Sequence, residues 1–66
     1  MISEQTRLPL LNERQVASLL GVSLGLLRKL RRNKVGPQYF KINRSVRYPV
    51  EGVEAFLRAH AVVSAN

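Results

Sequence analysis

At 66 residues, with eleven Lys and Arg against four Asp and Glu, the chain is one small basic domain of net charge +7. With no cysteine and a single histidine, His60, disulfides, thiolate metal sites and multi-histidine centres are excluded. No Gly-rich phosphate loop and no Ser-His-acid set is present either, so neither an enzyme nor a metal or cofactor binder is expected. No stretch approaches the roughly 18 apolar residues of a membrane span, and M-I-S-E-Q lacks the layout of a signal peptide, so a soluble cytoplasmic protein is expected.

A chain this short buries only about 60% of its unfolded surface. One domain over 1–66 with an ordered core of about 8–60 is expected, its stability resting on a few apolar side chains. In chain order, Asn12 suits an N-cap, and Gln15 stands where a capping-box side chain reaches back. Leu11 and Val16 have the spacing of a hydrophobic staple. The helix so begun ends at Gly21, which accepts a left-handed backbone without a Cβ clash. Only Gly21 and Val22 separate it from Ser23, the cap of a second helix, and Val22 and Leu27 repeat the staple. Ala17 is small where two such helices cross, and Val16, Leu20, Val22, Leu27 and Leu30 form the apolar seam. This pattern predicts a helix-turn-helix in preference to a plain helical hairpin.

The second helix also carries charge. Between Arg28 and Arg47 there are eight basic residues and no acidic one, an unopposed cluster that calls for a polyanion. Nucleic acid fits better than a membrane surface. Double-stranded DNA fits better than RNA, since Tyr39, Phe40 and Tyr48 are needed by the fold and leave no stacking platform.

Gly36-Pro37 reads as a helix stop. Tyr39 to Ile42 and Val46 to Tyr48 then alternate as two strands, with Asn43-Arg44-Ser45 as a hairpin tip in which Asn43 takes the left-handed turn. On that reading Phe40, Ile42, Val46 and Tyr48 face the core, Lys41 and Arg47 face outward, and Arg44 projects from the tip. Pro49 ends the second strand, and Val50, Val53, Phe56 and Leu57 recur at helical spacing in a third helix, with Glu51 near its positive end. Phe56 reads as core filler and His60 as exposed. Gly52 has no visible reason in the sequence, and the tail from Ala61 to Asn66 is expected to fray. The fold class is thus α+β: a winged helix-turn-helix made of a two-helix unit, a two-stranded hairpin wing and a C-terminal helix.

The segments L-L-N-E-R-Q-V-A-S-L-L-G-V-S, G-P-Q-Y-F-K-I, V-R-Y and V-E-A-F-L, spanning Leu10 to Ala59, resemble the small winged-helix proteins of the excisionase and AlpA-like group, related to the DNA-binding head of the MerR family. The chain departs from the group's pattern at Asn43, commonly Gly, at Gly52, usually an acidic cap, and at Phe56, often Trp. The resemblance implies a phage or mobile-element protein of the bacterial nucleoid. Such a protein binds and bends attachment-site DNA and directs a site-specific integrase towards excision. The same surface also serves small transcription regulators, and a module that grips an integrase is a third reading. A monomer of this size reads few base pairs, so cooperative self-association on DNA is expected. In a motif of this kind Leu24, Gly25, Arg28 and Lys29 face the major groove. Arg28 is the first choice for a bidentate guanine contact, and Leu24 is a candidate for a thymine methyl. Ser23, Arg31, Arg32 and Lys34 are placed for phosphates. In the wing, Arg44 flanked by Asn43 and Ser45 is the minor-groove candidate, with Lys41 and Arg47 as backbone clamps.

Overall fold

The computed structural model describes residues 10–62. Residues 8 and 9 of the expected core, the N-terminal M-I-S-E-Q and the last four residues of the tail lie outside the described residues. The first helix starts where its cap dictates. Asn12 sits at φ −84 and ψ 171, its Oδ1 accepts the Gln15 N–H at 2.7 Å, and Gln15 Oε1 accepts the Asn12 N–H at 2.9 Å. Two of the orphan donors of helix α1 (Glu13–Leu20) are thereby satisfied. Gly21, at φ 70, reverses the chain, with its N–H bonded to Ser18 and that of Val22 to Ala17. Helix α2 (Leu24–Arg32) follows at once, its cap Ser23 accepting the Leu26 N–H at 3.0 Å.

Helix α2 stops earlier than Gly36-Pro37 suggests. Asn33 caps it and Lys34 takes a left-handed φ of 60, so that Lys34 N–H reaches Arg31 and Val35 N–H reaches Leu30. Gly36 has a different task, close packing on Leu30, whose Cβ would lie 3.0 Å from a Cβ at that position.

Among the described residues three short strands and one more helix complete the fold. Strands β1 (Leu10–Asn12), β2 (Phe40–Ile42) and β3 (Ser45–Pro49) form an antiparallel sheet in the order β1-β3-β2, and helix α3 (Val50–Ala59) continues directly from β3. Strand β1 adds a third strand to the expected hairpin, pairing Leu11 with Tyr48 and Asn12 with Arg47.

The hairpin itself differs from expectation by one residue. Ile42 pairs with Ser45, so the connection is the two residues Asn43 and Arg44, and Ser45 belongs to β3. Directly opposed residues share a face, and a one-residue change of register turns every side chain over. Phe40 therefore shares a face with Arg47, and Ile42 with Ser45; both apolar side chains are turned out, 47% and 56% exposed. Tyr48 stays in the core, Val46 is half-buried, and Lys41, expected outward beside Arg47, instead shares the face of Val46, opposite to that of Arg47. The expected inward set of four is thus corrected to Val46 and Tyr48. Asn43 does adopt the left-handed turn, at φ 56.

The core joins α1, α2 and α3 to the sheet. Val16, Ala17, Leu27, Tyr48 and Val53 are buried, with Leu11, Leu20, Val22, Leu24 and Val46 packed around them. Val16, Leu27 and Tyr48 are fully enclosed. Phe56 is half-buried and stacks on the exposed His60 at 4.2 Å between ring centroids, while Leu57 is 49% exposed. Gly52 now has its reason. A Cβ there would lie 3.1 Å from the Gln38 Cβ and 3.3 Å from the Pro49 Cγ, so glycine lets the 37–39 segment cross α3 closely.

Candidate nucleic-acid interface

Helix α2 has one face that it cannot expose and one that no described residue covers. Leu27 is fully buried, and Leu24, Leu30 and Arg31 are half-buried beside it. Gly25, Arg28, Lys29 and Arg32 remain exposed. At 100° per residue, Gly25, Lys29 and Arg32 lie opposite Leu27 and form the outward ridge, with Arg28 on its flank. Leu24 packs against the core cluster, and Ser23 is occupied as the cap. Lys34 stands just past the helix end.

The wing carries the second set of basic residues. Arg44 and Ser45 are exposed beside Asn43 in the two-residue turn, and Lys41 is exposed on β2. Arg47 is half-buried, its Nη1 donating to the Val46 carbonyl at 2.9 Å. A polar groove of about 550 Å³ runs between helix and wing, lined by Asn12, Glu13, Arg14, Arg28, Arg31, Arg44, Ser45, Val46 and Arg47. Residues drawn from α2 and from the wing hairpin therefore meet along one cleft. Lys29, Arg32, Lys34 and Lys41 lie outside it.

Within the groove one carboxylate organises two arginines. Arg28 grips Glu13 with two parallel bonds, Nε to Oε1 at 3.2 Å and Nη2 to Oε2 at 2.6 Å. Arg31 Nη1 donates to Glu13 Oε1 at 3.1 Å and to the Tyr48 hydroxyl at 3.2 Å, and its guanidinium lies 5.8 Å from the centre of the Tyr39 ring. The hydrogen bond from Arg28, with help from Arg31, draws the Glu13 carboxyl down to about 2 against partial desolvation. Glu13 in turn raises Arg28, and Tyr48 followed by Glu13 raises Arg31, so both guanidiniums stay charged. The Arg31 side chain is only 20% exposed. It is a fastening between α2, α1 and the sheet, turned away from the outward ridge where a phosphate contact was expected.

Glu13 is the residue that sequence reasoning missed. The available signal was its isolation: between Glu4 and Glu51 it is the single acidic residue.

The sequence profile of a family described as a helix-turn-helix domain matches residues 10–61. The chain belongs to that family. As a helix-turn-helix domain it is a small DNA-binding protein, and α1 and α2 are the two helices of the motif. No curated protein matches the helix-turn-helix chain. Among the described residues no helix is long and apolar enough to cross a membrane, and no group of three or more His, Cys, Asp or Glu stands together.

Proposed function

We propose that this helix-turn-helix protein is a sequence-specific architectural factor that binds and bends duplex DNA, acting as an excisionase of a phage or mobile element and directing a site-specific integrase. The observation that carries the reading is the arginine-lined groove between recognition helix and wing, which offers two basic surfaces to one duplex. The outward ridge of Gly25, Lys29 and Arg32, with Arg28 on its flank, enters the major groove. Arg28 contacts guanine, and Arg32 and Lys34 meet phosphates. Arg44 reaches the flanking minor groove from the Asn43–Arg44 turn, with Lys41 and Arg47 along the backbone. Occupying two adjacent grooves favours a bend towards the protein.

Cooperation supports the architectural role over stand-alone regulation. One recognition helix reads too few base pairs to find a site in a genome, and the longest described helix, α3, has ten residues, too short for a coiled-coil dimer. Tandem copies on adjacent sites would supply both specificity and an accumulated bend.

Selection of preferred duplexes from a random pool, followed by footprinting and a bend assay on the winners, tests the proposal. Cooperative occupancy of tandem direct repeats with a bend is expected. A lone or inverted-repeat site without bending would replace it with plain transcription regulation.

A further inference from the structure

Arginine has five N–H donors in a planar fork, and Glu13 takes only two of those on Arg28. The occupied edge is Nε and one hydrogen of Nη2. The other edge, formed by Nη1 and the second Nη2 hydrogen, has no partner among the described residues, and the side chain is 46% exposed. Such an edge matches the O6 and N7 acceptors of guanine. Glu13 is itself firmly held: it sits in the first turn of α1 behind a closed capping box, and its Oε1 also accepts from Arg31, which is anchored on the fully buried Tyr48. A chain of hydrogen bonds therefore runs from the core to the guanidinium of Arg28.

On affinity alone the carboxylate is out of place. Among the described residues it is the one acidic side chain lining a groove of five arginines, and it repels any phosphate that approaches. Specificity, however, is a difference of affinities, and a repulsive element that weakens the wrong complexes raises it.

We propose that Glu13 is the positioning residue that sets sequence discrimination: it buttresses Arg28 so that the free guanidinium edge meets a guanine, and it withholds the charge of Arg28 and Arg31 from arbitrary phosphates. This rests on the DNA-binding reading above. Unrestrained, Arg28 swings onto whatever phosphate is nearest. Restrained, it has one productive partner.

The test compares the full chain with its Glu13→Gln and Glu13→Asp variants on a selected duplex and on a scrambled duplex of equal length, across a salt series, with thermal unfolding in parallel. Glu13→Gln is expected to bind the scrambled duplex several-fold more tightly and to lower the selected-to-scrambled ratio by about tenfold. Its dependence of log K on log salt should steepen by about 0.9, one more phosphate neutralised. Glu13→Asp keeps the charge and the wild-type slope. Unchanged ratio and slope in Glu13→Gln, or equal weakening on both duplexes, would overturn the proposal. A second readout uses the wild-type chain alone, in case Glu13→Gln does not fold. The Arg28 Nε–H resonance should be protected from exchange in the free protein and with either duplex, and the Nη1 resonance should shift with the selected duplex only. Free exchange of Nε–H in the selected complex would count against the buttress. A wild-type chain that binds no duplex sinks the DNA-binding reading itself, and that result is seen before any variant is made.

Discussion

Lys34→Gly should make the protein more stable and a weaker DNA binder, a combination that separates the two demands placed on one residue. Lys34 holds φ at 60 so that its own N–H and that of Val35 can satisfy the Arg31 and Leu30 carbonyls at 3.0 and 3.1 Å, closing α2. A side chain in that conformation costs roughly 1–2 kcal/mol, which glycine does not incur. Glycine's greater freedom in the unfolded chain offsets roughly 0.5–1 kcal/mol. None of the ion pairs among the described residues uses Lys34, so nothing there is lost with its side chain. The net gain is about 0.5–1 kcal/mol, or roughly 4 °C in Tm for a domain of this size. Duplex affinity should fall alike on selected and scrambled sequences, and the salt slope should shrink by about 0.9 as one phosphate contact disappears. Thermal unfolding by circular dichroism and a salt titration by fluorescence anisotropy read the two effects. A lower Tm would refute the strain argument, and an unchanged salt slope would remove Lys34 from the interface.

The other expectations concern folding. Leu27 is fully buried at the centre of the core, and Leu27→Ala should cost about 2–5 kcal/mol, enough to leave a domain this small largely unfolded; a cooperative melt near the wild-type temperature would contradict that. Ile42→Thr should change stability by less than about 0.5 kcal/mol, because Ile42 faces solvent; a loss of about 2 kcal/mol in urea unfolding would return it to the core and overturn the two-residue turn. The Glu13 carboxyl is held at about 2 in the fold and returns to about 4.5 on unfolding, a depressed value whose stabilisation is complete above pH 4.5 and is lost as pH falls towards 2. The stability difference between wild type and Glu13→Gln should therefore shrink across that window, and a difference that stays constant from pH 5 to pH 2 would show the ion pair contributes nothing.

The helix-turn-helix was legible because its determinants are local. The Asn12–Gln15 box, Gly21 and Ser23 act within three or four residues of themselves, and all do in the fold what their spacing announced. Partners far along the chain were not visible. The wing faces hang on whether the turn holds two residues or three, a choice that Asn43-Arg44-Ser45 does not declare, and the shorter turn sent Phe40 and Ile42 outward. Strand β1 is three residues long and exists through its pairing with β3, so no periodicity marks it. Gly52 is explained by Gln38, fourteen positions earlier. Among the proposed contacts, exposure and charge were readable for Lys29, Arg32 and Arg44. The inward turn of Arg31 depends on Glu13 and Tyr48, 18 and 17 residues away.

These tertiary contacts also change how the basic charge should count when DNA binds. Eight Lys and Arg lie between Arg28 and Arg47, and a slope that counted every one of them would be about −7. Arg31 is withdrawn into the seam of α2, α1 and the sheet, and Glu13 offsets one further charge in the groove. Six effective phosphate contacts remain, for a slope of about −5 and on the order of a thousandfold loss of affinity between low and moderate salt. Measuring log K against log salt on a scrambled duplex decides the matter, since sequence reading contributes little there. A slope near −5 means that Arg31 and Glu13 keep their free-state positions on DNA. A slope near −7 means the duplex pulls Arg31 from Tyr48 and neutralises the full cluster, and the rigid groove would then have to be replaced by one that opens on binding.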